Sequence, residues 1–530
     1  MTKTKITFGA IILLALLLRL LFFDSITFFY DQARDAVTSM EIWQGDPLKI
    51  IGPRSDFEGL YHGSFYWYLI SPFYYLGNGN VFLVKFILIL INLINIFVIY
   101  DLAKILFKNK RIAFLSAFFF AVSFEAVQYA RWLSNPAPAI LTITLSFWSL
   151  YKLSEGKKWA FITLLISWGL SVQLQLFLIY QLPLLIFLWF LLKGKKLPKL
   201  YFKHSLIGGI ALLTTLSTYI VSELKFNFQG TKALAKFFSS QAVQKNALWE
   251  LIKNYPKDLV QLFYLNIWAI NYIVAGLAAL LTLTATIFLI RNGKKQKQLI
   301  FLLVWMLSPI LILFISGPDA HYITIGAAIP LIILSAYLIN KFVKNKYLLA
   351  GLILVISIGN IDKIITHNPH GETLFSIQDG MTIKDELKVI DWIYQEADNK
   401  PYKLNTITYP MFLNTTWAHL FNWYGKSKYS YLPFWWGETQ VDVPGSKIKF
   451  AADEPTELHF LIIEPNASSD DYYIKAIKML ENSRSEVIKR EKIGHFTVEK
   501  RKITTPRIFT AQDVFYTVKT TDLKILEKVD

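Results

Sequence analysis

The chain has 530 residues, of which 54% are hydrophobic and 18% are charged, and its formal net charge is +17. In a soluble domain about a quarter of all residues are charged. This composition therefore excludes an ordinary soluble protein and predicts an extensive lipid-facing surface. The sequence has no cysteine, which excludes disulfides, thiolate metal sites and cysteine nucleophiles.

Hydrophobic runs long enough to cross about 30 Å of hydrocarbon recur along the first two thirds of the chain. They predict an α-helical polytopic membrane protein with about eleven transmembrane helices. The expected spans are 6–23, 81–100, 112–129, 137–153, 159–176, 177–192, 205–222, 268–290, 298–316, 321–340 and 346–362. The first run lacks a small-residue cleavage site, so we expect a retained span rather than a cleaved signal peptide.

Basic residues cluster in alternate gaps between these runs. The clusters include Lys3 and Lys5, Lys104 to Arg111, Lys193 to Lys199, and Arg291 to Lys297. This positive-inside pattern predicts a multi-pass protein of the plasma membrane with a cytoplasmic N-terminus and an extracytoplasmic C-terminal part. It also argues against the nucleic-acid binding that the net charge alone would suggest.

The first predicted outside loop, 24–80, is long and polar. Within it a helix is expected over 31–43, and helical spacing places Asp31, Arg34 and Asp35 on one face. Charged groups at the bilayer surface cost desolvation energy unless they bind or react with something, so we interpret this face as a reaction centre. Two alternatives stay open: Asp31 could be a helix N-cap, and Asp35 could be a surface partner of Arg34.

Further polar residues occur in the predicted outside gaps. The candidates for substrate binding are Arg34 and Asp35 of this helix, together with Glu58, His62, Arg131, Asn135, His321 and Tyr322. Structural alternatives stay open here too, because His62 could stabilise its loop and Arg131 or His321 could anchor a helix end at the membrane interface. A second outside loop, 223–267, mixes lysines with apolar residues, and it is expected to form amphipathic helices that adhere to the membrane or contact the substrate.

From about residue 363 the long hydrophobic runs stop. This change divides the chain into a membrane domain at 1–362 and a small α/β domain at 363–530. Periodicity predicts helices at 384–396, 416–424 and 471–480, and strands at 404–408, 459–463, 486–490 and 495–498.

Several motifs, taken in chain order, resemble the GT-C glycosyltransferases. They are the first-loop Asp31, the Leu69-x-x-Pro72-Phe73 turn, the Arg131 to Asn135 gap, and His321-Tyr322 followed by Pro330. Among these, the chain resembles the protein O-mannosyltransferases and the lipid A aminoarabinose transferase, of the glycosyltransferase family 39 type. The resemblance covers residues 5–345.

The resemblance implies that a monosaccharide passes from a polyprenyl-phosphate carrier to an acceptor hydroxyl on the outer face, with inversion. It implies that Asp31 is the base and that His321 and Arg131 hold the carrier phosphate. The acceptor stays open between a protein, a lipid and a polysaccharide. Gln32 and Asn135 stand where many relatives have acids, which weakens the case for a metal because a divalent cation needs several oxygen ligands. No cofactor is firmly predicted, and a divalent cation stays possible.

The alternative function is a multi-pass transporter or flippase for a polar or lipid-linked solute. Transporters usually place ionisable residues near the bilayer midplane, often in repeated halves. Here the predicted spans carry almost no central charge and the polar residues gather on one side. This distribution favours an enzyme that acts at the outer membrane surface.

Overall fold

The computed structural model describes residues 3–45, 48–55, 59–239, 247–293, 295–312, 321–438, 455–465 and 471–521. These residues are mostly helical and belong to two units. The first unit comprises Met1–Leu21, Leu48–Leu69 and Lys85–Asn368, and the second comprises Phe22–Pro47, Ile70–Val84 and Pro369–Asp530. The second unit therefore includes two segments of the predicted first loop as well as the C-terminal part of the chain.

The part of the chain before residue 370 is helical. Its helices are α1 (Lys3–Leu20), α2 (Tyr30–Glu41), α3 (Phe65–Leu76), α4 (Val81–Phe107), α5 (Lys110–Val122), α6 (Phe124–Arg131), α7 (Pro136–Ser154), α8 (Ala160–Leu174), α9 (Gln181–Lys193), α10 (Phe202–Thr215), α11 (Ser217–Lys225), α12 (Gln229–Ser239), α13 (Ala247–Asn266), α14 (Tyr272–Asn292), α15 (Gln296–Leu307), α16 (Ala328–Phe342) and α17 (Lys346–His367). Short 3-10 segments occur at Leu176–Tyr180, His321–Thr324 and Asn368–His370. The helices predicted for the second outside loop are confirmed as α12 and α13.

Within the described residues, four helical segments are long and apolar enough to cross a membrane. They are Val81–Phe107, Leu176–Lys193, Tyr272–Asn292 and Lys346–His370. Two helix pairs, α5 with α6 and α10 with α11, pass the same test together but bend by 56° at a break. The described residues thus contain four to six candidate spans, and the predicted count of about eleven is not confirmed. One reason is that the apolar helices α8, α15 and α16 have fewer than 18 residues.

Polar side chains stabilise the bend between α5 and α6. The hydroxyl of Ser123 accepts a hydrogen bond from the main-chain N–H of Ala126, and Oδ1 of Asn360 accepts one from Phe124 at 2.9 Å. An unpaired buried N–H group would be costly, so these acceptors allow the chain to break an apolar helix inside the first unit. Helix α6 begins directly after this bend and ends at Arg131.

The C-terminal part of the second unit is built around a five-stranded sheet. Its strands are β1 (Lys403–Ile407), β2 (Phe434–Trp435), β3 (Leu458–Ile463), β4 (Ser485–Ile493) and β5 (Phe496–Ile503), in the order β2-β1-β3-β5-β4. β1 pairs in parallel with β2 and β3, whereas β5 runs antiparallel to β3 and β4. The helices are α18 (Ile383–Ala397), α19 (Thr415–Leu420), α20 (Lys426–Tyr429), α21 (Asp471–Arg484) and α22 (Ala511–Thr520), with a π-helical turn at Phe421–Gly425.

The predicted helices and strands of this part are confirmed to within a few residues. Three further elements, β2, α20 and α22, are not predicted by the sequence; β2 is only two residues long. The apolar faces of α21 and α22 meet the sheet, where Leu461, Ile477 and Val514 are buried together.

Helix α2 packs against α19 within the second unit. The chain before α2 is tied to the C-terminal part by main-chain contacts: Phe28 N–H donates to the Met381 carbonyl, and Ile383 N–H donates to the Ile26 carbonyl. A buried carboxylate adds to this connection, because Oε2 of Glu372 accepts from Thr27 N–H at 2.7 Å. These contacts position the segment that carries Asp31.

Candidate active site

Helix α2 begins with a glutamine side chain that satisfies a main-chain donor. Oε1 of Gln32 accepts a hydrogen bond from Phe29 N–H at 3.2 Å, as the third residue of a capping box does. Phe29 is the N-cap residue, so the alternative that Asp31 caps the helix is wrong. Asp31 lies in the first turn, where the helix dipole favours a negative charge, and its side chain is 39% exposed.

Arg34 joins the two carboxylates of α2. Its Nη1 donates to Oδ1 of Asp31 at 2.6 Å, while Nε and Nη2 donate to Oδ1 of Asp35 at 3.1 and 2.9 Å. Asp35 is buried, in contrast to Asp31. The structure therefore brings together the three charged residues that helical spacing predicted, and it gives the two carboxylates different surroundings.

The charge of Arg34 is fixed by its neighbours. Burial lowers the pKa of the Arg34 guanidinium, but the negative charges of Asp35 and Asp31 outweigh burial and raise that pKa above its usual value. The guanidinium also lies over the ring of Tyr30, 5.8 Å from the ring centroid. Arg34 is thus a permanent cation that holds the exposed carboxylate of Asp31 in place.

His62 lies in the first unit, beside the break that follows α8. Its Nδ1 accepts a hydrogen bond from Leu176 N–H at 3.2 Å, and the N–H of Gly63 donates to the Gln173 carbonyl at 2.9 Å. An accepting Nδ1 identifies a neutral imidazole with its proton on Nε2. His62 also lines a cavity of about 460 Å³, together with Glu223.

Arg131 ends α6 as a fully buried side chain. Its guanidinium donates to the main-chain oxygen of Leu21 at 2.5 Å and to that of Asn368 at 3.3 Å. In the first turn of α6, a carboxylate oxygen of Glu125 accepts a hydrogen bond from the amide of Asn266. Arg131 therefore connects three segments of the first unit that are distant in sequence.

Asn135 and Tyr322 also contact their surroundings in the first unit. Nδ2 of Asn135 donates to the Leu174 carbonyl at 2.5 Å. The ring of Tyr322 lies 6.5 Å from that of Trp132 and 6.3 Å from that of Phe177.

The predicted site residues are divided between the two units. Asp31, Arg34 and Asp35 belong to the second unit, and His62, Arg131, Asn135 and Tyr322 belong to the first. Glu58 lies outside the described residues, and only the main chain of His321 is described, as the first residue of a 3-10 segment.

The sequence of the chain matches a known family over residues 62–221, which run from His62 to the middle of α11. The description of that family is dolichyl-phosphate-mannose-protein mannosyltransferase. Over these residues the chain resembles this family of membrane glycosyltransferases. It is a multi-pass membrane protein and an enzyme of the class that uses sugars carried on lipid phosphates. No curated protein matches its sequence significantly.

Solved structures give a second comparison for this glycosyltransferase. ArnT from Cupriavidus metallidurans, bound to undecaprenyl phosphate, is 12% identical with a TM-score of 0.58, over 93% of this chain and 97% of ArnT. The likeness to ArnT shows a shared fold. The oligosaccharyltransferase of Archaeoglobus fulgidus in its apo form is 12% identical, over 90% of this chain and 71% of that protein, with a TM-score of 0.47.

The carboxylates of α2, as the structure describes them, do not fit a divalent cation. A magnesium or calcium ion needs several oxygen ligands, and its charge would have to replace that of Arg34 beside Asp31 and Asp35. In the described ranges, no group of three or more histidine, aspartate or glutamate side chains could hold a metal ion.

The second unit contains a buried carboxyl group, Glu464, that is not among the residues predicted from the sequence. Glu464 follows β3 and accepts hydrogen bonds from Trp417 Nε1 at 2.8 Å, Tyr409 N–H at 2.9 Å and Gln378 Nε2 at 3.1 Å. Burial raises the pKa of Glu464 to about 7. Its position directly after an apolar predicted strand was the signal in the sequence that could have marked it.

Proposed function

We propose that this glycosyltransferase moves a monosaccharide from a polyprenyl-phosphate carrier to an acceptor hydroxyl at the outer surface of the plasma membrane, with inversion. The carrier class is supported by the family and by ArnT, which binds undecaprenyl phosphate. The observation that carries the proposal is the geometry of Asp31: a partly exposed carboxylate held on one oxygen by Arg34, which is itself anchored by buried Asp35.

Asp31 is the proposed base. The described residues offer no hydrogen bond to its Oδ2, so this oxygen can accept the proton of an acceptor hydroxyl. The acceptor oxygen then forms a bond to the anomeric carbon, and the bond from that carbon to the phosphate oxygen breaks. The electron pair leaves with the carrier phosphate. Proton transfer by a positioned base is worth about 10²–10⁴-fold in rate.

Arg34 and Asp35 are positioning residues in this mechanism. The guanidinium of Arg34 pairs with buried Asp35 as well as with Asp31. Arg34 therefore orients the base, and Asp31 is not the only carboxylate that balances its charge. Substrate-binding roles for Glu58, His62, Arg131, Asn135, His321 and Tyr322 stay predictions. We also propose that residues 1–362 form the membrane domain and that residues 363–530 form an extracytoplasmic domain.

The test uses membranes that contain the full chain and a radiolabelled polyprenyl-phosphate sugar. Asp31→Asn is compared with Asp24→Asn, a change in the same segment at a carboxylate that is 55% exposed and 3.7 Å from Lys384. Label is expected to pass to a larger acceptor with the unchanged chain and with Asp24→Asn, but not with Asp31→Asn. Solute uptake that is insensitive to Asp31→Asn, without transfer, would instead support the transporter.

A further inference from the structure

The second unit contains a cavity that the proposed mechanism does not use. It has a volume of about 490 Å³, in the range of small-molecule sites. Amide and hydroxyl groups line it from several segments: they belong to Gln44, Asn78, Asn422 and Ser427. Among the described residues, the lining has no carboxylate, and its one lysine or arginine is Lys426. This composition suits a neutral polar ligand better than a multiply charged one.

A turn beside the cavity, which begins at the lining residue Asn78, is held in place by its neighbours. Gly79 has φ of +88°, and a Cβ added there would lie 3.2 Å from Cβ of Trp423 and 3.5 Å from Cε1 of His419. Nε2 of His419 lies 3.1 Å from the Gly79 carbonyl. Burial lowers the pKa of His419 to about 4, so at neutral pH the imidazole is uncharged and Nε2–H can donate to that carbonyl. The turn after Asn78 is thereby held against the helices of the C-terminal part.

One wall of the cavity has unusual helical geometry. The π-helical turn Phe421–Gly425 supplies Asn422 and Trp423. Single π-helical turns occur frequently at functional sites. The amide nitrogen of Asn422 donates to the Ala418 carbonyl at 2.7 Å, which fixes the side chain and leaves Oδ1 as the atom that can accept from a ligand.

We propose that this cavity binds a neutral saccharide. Sugars present many hydroxyl groups and an apolar ring face, so amide and hydroxyl partners beside an indole match their chemistry. Asn78, Asn422 and Trp423 offer this combination here. A phosphate-bearing ligand fits less well, because such groups are usually held by several cations or main-chain N–H groups.

The cavity shares helix α2 with Asp31. Val37 and Met40 line it, and at 1.5 Å per residue they lie about 9 and 14 Å along the helix axis from Asp31. At about 3.6 residues per turn these two residues lie on the other side of the helix from Asp31, so the cavity is a separate site from the proposed base. Saccharide binding here does not rest on the proposed function.

The test measures binding to the purified full chain in lipid nanodiscs, with an array of neutral, amino and uronic-acid oligosaccharides as the probe. Ser427→Trp fills the cavity from an exposed helical position, where the serine hydroxyl donates to the Trp423 carbonyl. Ser483→Trp is the matched control, because Ser483 is also exposed and donates to the Leu480 carbonyl one turn earlier. Trp423→Ala removes the aromatic partner.

Neutral saccharides are expected to bind the unchanged chain and Ser483→Trp equally, and to bind Ser427→Trp and Trp423→Ala about tenfold or more weakly. If no neutral saccharide binds, if Ser427→Trp binds as the control does, or if inorganic phosphate displaces the saccharide, the proposal is overturned. Saccharide binding without sugar transfer would sink the proposed function and leave this inference intact. Sugar transfer without saccharide binding would overturn this inference and leave the proposed function intact.

Discussion

Arg34 gives the two carboxylates of α2 their different surroundings. It donates two N–H groups to buried Asp35 and one to partly exposed Asp31. Ion pairs at an exposed surface contribute only about 0–1 kcal/mol, whereas removing one partner of a buried pair leaves a group that has lost its solvation. Replacing Asp35 should therefore mainly lower the stability of the protein, whereas replacing Asp31 should mainly lower the rate of transfer.

Asp35→Asn is expected to lower the free energy of unfolding by about 1–3 kcal/mol, because Arg34 loses its buried charge partner. The thermal unfolding temperature of the purified chain in detergent measures this. Asp31→Asn is the comparison, and we expect it to leave stability within about 1 kcal/mol. Equal unfolding temperatures for Asp35→Asn and the unchanged chain would show that Arg34 does not depend on Asp35.

Glu464 predicts a pH dependence of stability in the second unit. Its pKa of about 7 in the folded protein lies above the ordinary glutamate value of 4.5, so the folded state holds the proton more tightly than the unfolded state does. The resulting stabilisation is complete below about pH 4.5 and is lost as the pH rises through about 7, with an upper limit of about 3 kcal/mol.

Glu464→Gln removes this proton equilibrium, so its unfolding temperature should fall less between pH 5 and pH 8 than that of the unchanged chain. The comparison with the variant is needed because His419 has the opposite effect on the stability of the protein. Burial lowers the pKa of His419 to about 4, so its contribution to stability is lost as the pH falls. Parallel pH curves for the two proteins would contradict the assignment to Glu464.

At the scale of helices and strands, the sequence was most informative where the pattern is local. The predicted strands at 404–408 and 459–463 are β1 and β3, because short apolar runs bounded by turn residues have few other solutions. Helical spacing likewise placed Asp31 beside Arg34, since residues three apart on a helix are neighbours.

The spans were harder to predict, because hydrophobicity marks an apolar run but not where it bends. The break at Ser123 depends on Asn360, which is more than two hundred residues away in the sequence. Arg131 likewise contacts Leu21 and Asn368, which are 110 and 237 residues away in the sequence. Periodicity within a window of residues contains no information on such partners, so the surroundings of Arg131 could not be predicted.

Gly63→Ala tests how the first loop is attached to the break after α8. A Cβ at Gly63 would lie 1.8 Å from Oε1 of Gln173 and 2.9 Å from its Cα, and the second atom cannot move without the helix. We expect a loss of about 1–3 kcal/mol of stability, measured by thermal unfolding. Gly351→Ala is the control: a Cβ there meets nothing within 4 Å, and alanine favours the helix. Equal stability of both variants would contradict this close approach.

For the whole molecule, the side of the membrane on which Asp31 lies is the property on which the mechanism depends. The predicted number of spans, about eleven, is odd and therefore places the C-terminal part outside. The described residues contain four to six candidate spans, so they do not determine whether the number is odd. The distribution of lysine and arginine between the gaps therefore supports the orientation by itself.

Single cysteines test this orientation cleanly, because the sequence contains none. Asp24→Cys and Ser430→Cys should react with a membrane-impermeant maleimide in intact cells. Lys195→Cys, in a predicted cytoplasmic gap, should react only after permeabilisation. The reverse labelling pattern would place Asp31 on the cytoplasmic side and rule out transfer at the outer surface.

The most direct measurement of the central claim is a single-turnover experiment with purified chain preloaded with a polyprenyl-phosphate sugar. We predict that Asp31→Asn slows sugar transfer by about 10²–10⁴-fold while the affinity for the donor stays unchanged, and that Asp24→Asn alters neither quantity. An unchanged transfer rate in Asp31→Asn, or a loss explained entirely by weaker donor binding, would contradict the role of Asp31 as the base.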